Sequence, residues 1–539
     1  VQRATPVQVS FSHRCAILVA GLVLFGVCFW AFSQNNQFPA EYHPDEPGKG
    51  LQIQQGRRNY RHPQVLLELS TLALWSSDAR TPLGKKVDAD DPAARLPIQR
   101  AVEVGRDVSA GLAAAAVTAF FWLAWRASGW AAAVLVAALL ATCPTLLINA
   151  HFMKEDTALV FGLAVLLSAI YYAWQRRDAE MRLRVRAAWA LGAAFCLAAS
   201  GKYVGFITVV PAVWVLFRLR GAATADDSAM PRLSRRRLVG VFLLAATLTS
   251  FVINWRVFKN PGTWIEALGN QVIDGVVEHG GLTMAKPNTY YLRTIWEVLP
   301  ITVTLLAAAA AIYGIVAWLR RGDRWWAVVG LMPLGYLAML SFASAPNHRH
   351  ALPVIVLSMF AASLLAPTAP LAAVRRPAVV GVLAVAAAVC WTVWQWPTVA
   401  AVNRQFDNDS RAQAAAWLAT RVTPDDVILQ DALDLDHDPA LVGPHRPTIL
   451  HYEMACEIGA FEAARKTGVT YVVTSNLSYG RYFEPQVVPT PEFRAEYDRR
   501  RAWYARLFRE GQLLWSAVPV VPTNAPSYPE VRIYRLPAN

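Results

Sequence analysis

Four short stretches of the chain carry residues that could do chemistry. The first, EYHPDEPGKG (Glu41–Gly50), sets the adjacent acids Asp45 and Glu46 between Pro44 and Pro47, with His43 before them and Lys49 after. The second holds His151, Lys154, Glu155 and Asp156, the third Lys202-Tyr203, and the fourth His348-Arg349-His350. Carboxylates can act as a general base toward a hydroxyl nucleophile. Lysine, arginine, histidine or a metal ion can neutralise a departing phosphate. Transfer of a sugar from a phosphate carrier needs both kinds of group. Each stretch also has a plainer reading. Asp45-Glu46-Pro47 has the form of a helix start, with an acid at the cap and proline in the first turn. The 151–156 stretch reads as a charged loop among headgroups, Lys202 as a lysine reaching for the interface, and 347–350 as a solvated turn.

The elements that must position these groups are apolar. The chain has 539 residues, 55% of them hydrophobic, a mean hydropathy of +0.29 and 17% charged residues. Soluble domains carry about 25% charge, so disorder is excluded and a polytopic α-helical membrane protein is expected. Eleven stretches of membrane-crossing length are read at 15–33, 104–125, 129–150, 157–174, 187–200, 203–218, 238–254, 294–318, 325–342, 351–366 and 377–397. The fifth and sixth are short and meet at Gly201-Lys202-Tyr203, as broken or tilted helices lining a cavity do. The run from Cys15 to Phe32 reads as an uncleaved anchor. Six scattered cysteines without a CxxC pair give neither a disulfide framework nor a zinc or redox motif.

A net charge of +13 could point to nucleic acid, but the arginines cluster in short loops between spans: 175–186, 218–237, 319–324 and 374–376. Positive-inside orientation explains that pattern, and no nucleic-acid partner is expected. With the amino terminus inside, segments 34–103, 255–293 and 398–539 fall outside, and all four charged stretches lie at outer ends of spans. They could then meet in one cavity at the outer interface. Ionisable groups at such depth are functional suspects. The first outer segment contains QVLLELSTLALW, read as an interfacial helix. In the second, Trp264, Leu268, Val272 and Val276 fit one helical face. The tail alternates helix (SRAQAAAWLATRV), strands (DDVILQ, VTYVVTS), a long charged helix (PEFRAEYDRRRAWYARLFREG) and final strands near LLWSAVPV and EVRIYRL. That order predicts a small α/β domain. The expected division is a catalytic membrane domain over 15–397 and an extracytoplasmic α/β domain over 398–539.

An outer compartment has no nucleotide-sugar pool, and the chain has no Walker-type loop. A donor would come within the bilayer, as a polyprenyl-phosphate sugar. Two other features each have two readings. Asp434-Leu435-Asp436, with Asp431 and Asp438 nearby, has the DxD form but reads as a solvated acidic loop. His279 in EHGG could contact substrate or end a helix.

HPDEPGK with RHP after it, HFMKED, GKYVG, EHGG and NHRHALPV resemble, in that order, the GT-C superfamily. More narrowly, they are similar to bacterial polyprenyl-phosphate-sugar glycosyltransferases related to protein O-mannosyltransferases and aminoarabinose transferases. The resemblance covers residues 15–397. It implies an inverting transfer in a bacterial cytoplasmic membrane, with a glycan, lipid or protein acceptor. Asp45 falls at the family's catalytic base, Glu46 beside it, and Asp156 at the acid of the second outer loop, where a divalent cation could bind. Lys202 and Arg349 fall where the family places phosphate-binding cations. Lys154 and His350 are grouped with them, and His43, His151, Tyr203 and His279 are expected toward substrate. Pro47-Gly48 departs from the aromatic or basic residue that often follows the acid pair. The competing reading is a transporter or flippase of lipid-linked sugars, which would need polar sites reachable from both faces.

Overall fold

The structure is a computed structural model that describes residues 11–78, 91–220, 234–274, 280–344, 347–367, 377–431, 447–519 and 528–537, together with 81, 83, 87, 88 and 441. His279, Val276, Asp434, Asp436 and Asp438 lie outside the described residues.

Sixteen helices precede the tail: α1 (Phe11–Phe32), α2 (Glu46–Gln55), α3 (Gln64–Trp75), α4 (Arg95–Ser128), α5 (Trp130–Ala141), α6 (Pro144–Ala150), α7 (Glu155–Gln175), α8 (Met181–Gly201), α9 (Val209–Leu216), α10 (Arg235–Ile253), α11 (Pro261–Val272), α12 (Pro287–Val298), α13 (Ile301–Arg321), α14 (Arg324–Leu340), α15 (Leu352–Leu365) and α16 (Pro377–Asp407). Among the described residues, eight of them are long and apolar enough to cross a membrane, or up to nine when the pair α5–α6, bent by 59°, counts as one span. The protein is therefore a multi-pass helical membrane protein.

Each of the eleven stretches read from the sequence is helical, but not each is a full span. The sixth, Tyr203–Leu219, and α14 are too short. The eighth breaks at Leu299-Pro300 into α12 and α13, because proline cannot continue a helix and holds the residue before it extended. Pro144 at the start of α6 marks the bend after α5.

The 34 residues of α4 extend about 50 Å, well beyond a hydrocarbon core of about 30 Å. Its first turns therefore stand clear of the core and carry Gln99, Glu103 and Arg106. At the centre, every residue of α15 is buried. At the rim, α1, α10, α13 and α16 expose Leu18, Leu243, Leu305 and Val382, as lipid-facing helices should.

Helices α7 and α8 approach through small residues. A Cβ on Gly162 would lie 2.5 Å from Ala198 Cα, and one on Gly201 2.7 Å from Ala158 O. No side chain fits there, and such contacts are how membrane helices pack closely. Helix α8 stops at Gly201, Lys202 is extended, and a 3-10 turn (Tyr203–Thr208) leads into α9. In α3, Val65, Leu66 and Leu74 are buried while Leu69, Leu72 and Trp75 are exposed. Trp264 and Leu268 of α11 are half-buried, but Val272 is exposed rather than on the packed face.

The tail adds α17 (Ser410–Ala419), α18 (Phe461–Lys466), α19 (Asn476–Phe483) and α20 (Arg494–Glu510). Its strands are β2 (Val427–Gln430), β3 (Thr448–His451), β4 (Val469–Ser475), β6 (Gln512–Ala517) and β7 (Val531–Arg535), ordered β3-β2-β4-β7-β6. The first three are parallel, and β7 and β6 are antiparallel, so the tail is a mixed α/β unit. A separate antiparallel pair joins β1 (Leu282–Met284), from the segment between α11 and α12, to β5 (Val487–Pro489) of the tail.

Candidate active site

The HPDEPGK stretch and the MKED stretch interlock. Asp45 sits at the cap position of α2, with Pro47 in the first turn, yet its carboxylate makes no capping hydrogen bond. It forms an ion pair with Lys154 instead. The next acid, Glu46, takes a two-pronged ion pair from Arg106, at 2.6 and 3.3 Å, and accepts the Met153 N–H at 2.6 Å. One turn on, the Lys49 ammonium reaches Glu155 at 2.6 Å and donates to Met153 O at 2.9 Å. His62 adds its ring to Glu155 at 3.3 Å. Beyond this lattice, Asp156 faces the other way and pairs with Lys202 at 2.6 Å. The close packing of α7 and α8 brings that pair together.

The fourth stretch closes the group. Arg349 acts electrostatically on His43, Lys154 and Asp156, and His350 on Asp156. The phenol of Tyr291 lies 3.2 Å from His350 Nδ1. Arg349 Nε is buried without a hydrogen-bond partner among the described residues. Asp45, Lys154, Asp156, Lys202, Arg349 and His350 therefore share one neighbourhood, although they span some 300 positions of chain.

Exposure divides the two adjacent acids. The Asp45 side chain is 36% exposed, whereas Glu46 and Arg106 are at 0%. Burial works against the Asp45 carboxylate, but Lys154 foremost, then His43 and Lys49, outweigh it and hold the carboxyl well below the usual range. Burial, reinforced by Arg349 and Lys49, pulls Lys154 down to about 7 against the attraction of Asp45 and Glu155. Burial and Lys49 bring His62 down to about 4, so its ring is neutral at pH 7.

Other expected residues point elsewhere. His43 is buried against Phe152, with ring centres 5.1 Å apart, and its Nδ1 accepts the Asp45 N–H at 3.1 Å. It shapes the turn that aims Asp45. His151 stacks on Phe406 at 4.1 Å and bonds Leu147 O at 2.8 Å. Tyr203 donates to Tyr60 O at 2.8 Å. Asp156, expected as a possible cation ligand, is occupied by Lys202. Among the described residues no group of three or more His, Cys, Asp or Glu is placed to share an ion. The residues present do not fit a metal. Asp431 is fully buried and accepts from Ala455 N, Ser475 N, Thr474 and Tyr504, a structural bond set inside the tail.

Arg106 was missed as a site residue, and so was the pairing of Lys49 with Glu155. Arg106 was findable, since it is a charge inside an apolar stretch. The tail's contribution carried no such signal. Arg411 of α17 lies 3.7 Å over the Tyr42 ring and donates to Tyr42 O at 2.9 Å, three residues from Asp45. Asp409 braces that guanidinium at 2.8 and 3.0 Å.

No family model matches the sequence, and no curated protein matches it. Among solved structures, the chain is similar to ArnT from Cupriavidus metallidurans bound to undecaprenyl phosphate: TM-score 0.46, 14% identity, covering 97% of this chain and 98% of that one. It is also similar to the oligosaccharyltransferase AglB from Archaeoglobus fulgidus, solved with an inhibitory peptide and a dolichol-phosphate: TM-score 0.47, 12% identity, 96% of this chain and 74% of that one. A shorter match, over 48% of this chain and 35% of that one, is to the Saccharomyces cerevisiae protein O-mannosyltransferase Pmt1–Pmt2 complex bound to the sugar donor, at TM-score 0.34 and 15% identity. The likeness is one of fold.

Proposed function

We propose that the protein is an inverting glycosyltransferase that moves a sugar from a polyprenyl-phosphate carrier to an acceptor hydroxyl at the outer membrane surface. One observation carries the reading. Among the described residues, four carboxylates in this cluster each have a cation (Asp45 with Lys154, Glu46 with Arg106, Glu155 with Lys49, Asp156 with Lys202), and Arg349 is left over. A cluster with one cation to spare, its Nε buried and unbonded among the described residues, is matched by a ligand with one negative charge. A sugar phosphodiester of a polyprenol has that charge, and its tail belongs in the bilayer that surrounds the site.

In this reading Asp45, the exposed acid, takes the proton from the acceptor hydroxyl. The hydroxyl oxygen attacks the anomeric carbon, the bond from that carbon to the phosphate oxygen breaks, and the electron pair leaves on phosphate. Arg349 and Lys154 hold the charge that develops there. A single displacement inverts the anomeric centre. Glu46 serves by fixing α2 against α4, and Lys49 by fixing α2 against α7.

The test is incubation of purified protein with a panel of polyprenyl-phosphate sugars, reading release of polyprenyl phosphate. Asp45→Asn should lower turnover at least 10²-fold, the low end of what a general base contributes, with folding unchanged. Wild-type rates in that variant would remove Asp45 from the chemistry. Turnover should persist in EDTA, because Asp156 is committed to Lys202.

A further inference from the structure

Lys154 occupies a position that the proposed reaction would have to use twice. Its side chain is 3% exposed, and among the described residues its one ion pair is to Asp45. It sits at the cap of α7 in extended backbone, on a flexible four-carbon stem. Arg349 and Lys49 bear on its charge from the 3-10 turn His348–Ala351 and α2, Glu155 from α7 itself, and His43, His62 and His350 ring the group. Asp45 in turn faces Lys154, His43 and Lys49. Two cations thus press on Lys154, Glu155 and Asp45 offset them, and the one it pairs with directly is the carboxylate needed as a base.

We propose that Lys154 is a two-position cation: it neutralises Asp45 while the donor is absent, and the donor's phosphate draws it away, so Asp45 becomes a base only once the donor is seated. This rests on the reading of Asp45 as the base and Arg349 as a phosphate ligand. A carboxylate bound to an ammonium is a weak proton acceptor, because protonation would leave the ammonium buried without its counter-charge. A phosphodiester between Arg349 and Lys154 supplies that counter-charge instead. Asp45 then meets the acceptor hydroxyl unpaired. As the sugar departs, the phosphate gains charge and tightens on both cations while the proton rests on Asp45. When polyprenyl phosphate leaves, Asp45 gives its proton to water and Lys154 returns. The consequence is order: donor binding must precede deprotonation of the acceptor.

The experiment needs neither the sugar nor the acceptor. Polyprenyl monophosphate is added to wild type, Asp45→Asn and Lys154→Met, and infrared difference spectra in the carboxylate stretching region are recorded beside binding isotherms. The expected result is a ligand-induced carboxylate band in wild type that is lost in both variants. Lys154→Met should bind the ligand about 10- to 100-fold more weakly, the size of one charged hydrogen bond. If wild type binds the ligand with no Asp45-dependent band, Lys154 does not switch, and the assignment of Asp45 as base stands on its own assay. If wild type does not bind polyprenyl phosphate, the functional reading itself fails. The wild-type and Asp45→Asn spectra decide the point even should Lys154→Met misfold.

Discussion

Asp45 and Glu46 share a peptide bond, yet one carboxyl is half-exposed on Lys154 while the other is sealed between Arg106 and the Met153 N–H. The two should fail differently. Glu46→Gln leaves the Arg106 guanidinium buried and uncompensated, a loss of about 3–5 kcal/mol, visible as a lower unfolding temperature in detergent. Asp45→Asn, whose carboxylate is 36% exposed, should lower that temperature less. The sequence showed the acid pair and its cations, because charges beside apolar stretches are conspicuous. It could not show which acid is sealed. That depends on pairings such as Asp45 with Lys154 or Glu46 with Arg106, made between elements far apart in the chain, and no local pattern encodes them. The packing of His43 on Phe152 and of His151 on Phe406 was hidden for a related reason: in sequence Phe152 read as part of a loop between spans and Phe406 as part of the tail.

At the level of elements, helix lengths and breaks were the readable part, since apolar run length, proline and glycine act locally. The role of the tail was not. Helix α16 does not end at residue 397 but continues to Asp407 and puts Phe406 against Phe38, Phe152 and His151. Four residues after that helix, Arg411 grips Tyr42. The wall behind the acid pair is therefore partly built by residues beyond the expected domain boundary. Arg411→Ala should lower turnover about 10- to 100-fold through misplacement of the HPDE turn, with the protein still inserted and monodisperse. Arg411→Lys, which keeps a cation over the ring, should recover part of it. Turnover unchanged in Arg411→Ala would make the tail contact ornamental to catalysis.

For the molecule as a whole, the arginine count predicts an orientation that accessibility can check. In a background with Cys15 and Cys390 replaced by serine, Thr420→Cys should react with a membrane-impermeant maleimide from outside. Arg182→Cys, in the first turn of α8, should react only after permeabilisation. The reverse pattern would invert the topology and move Asp45 to the inner face.

The strand pair β1–β5 links residues 282–284 to 487–489, and Arg411 lies 369 positions from Tyr42. Helices can enter the bilayer one by one as they leave the ribosome, but these closures wait for the last quarter of the polypeptide. A nascent chain halted before it would be anchored yet have a slack HPDE turn. Premature termination late in translation should thus yield an inserted, inert protein.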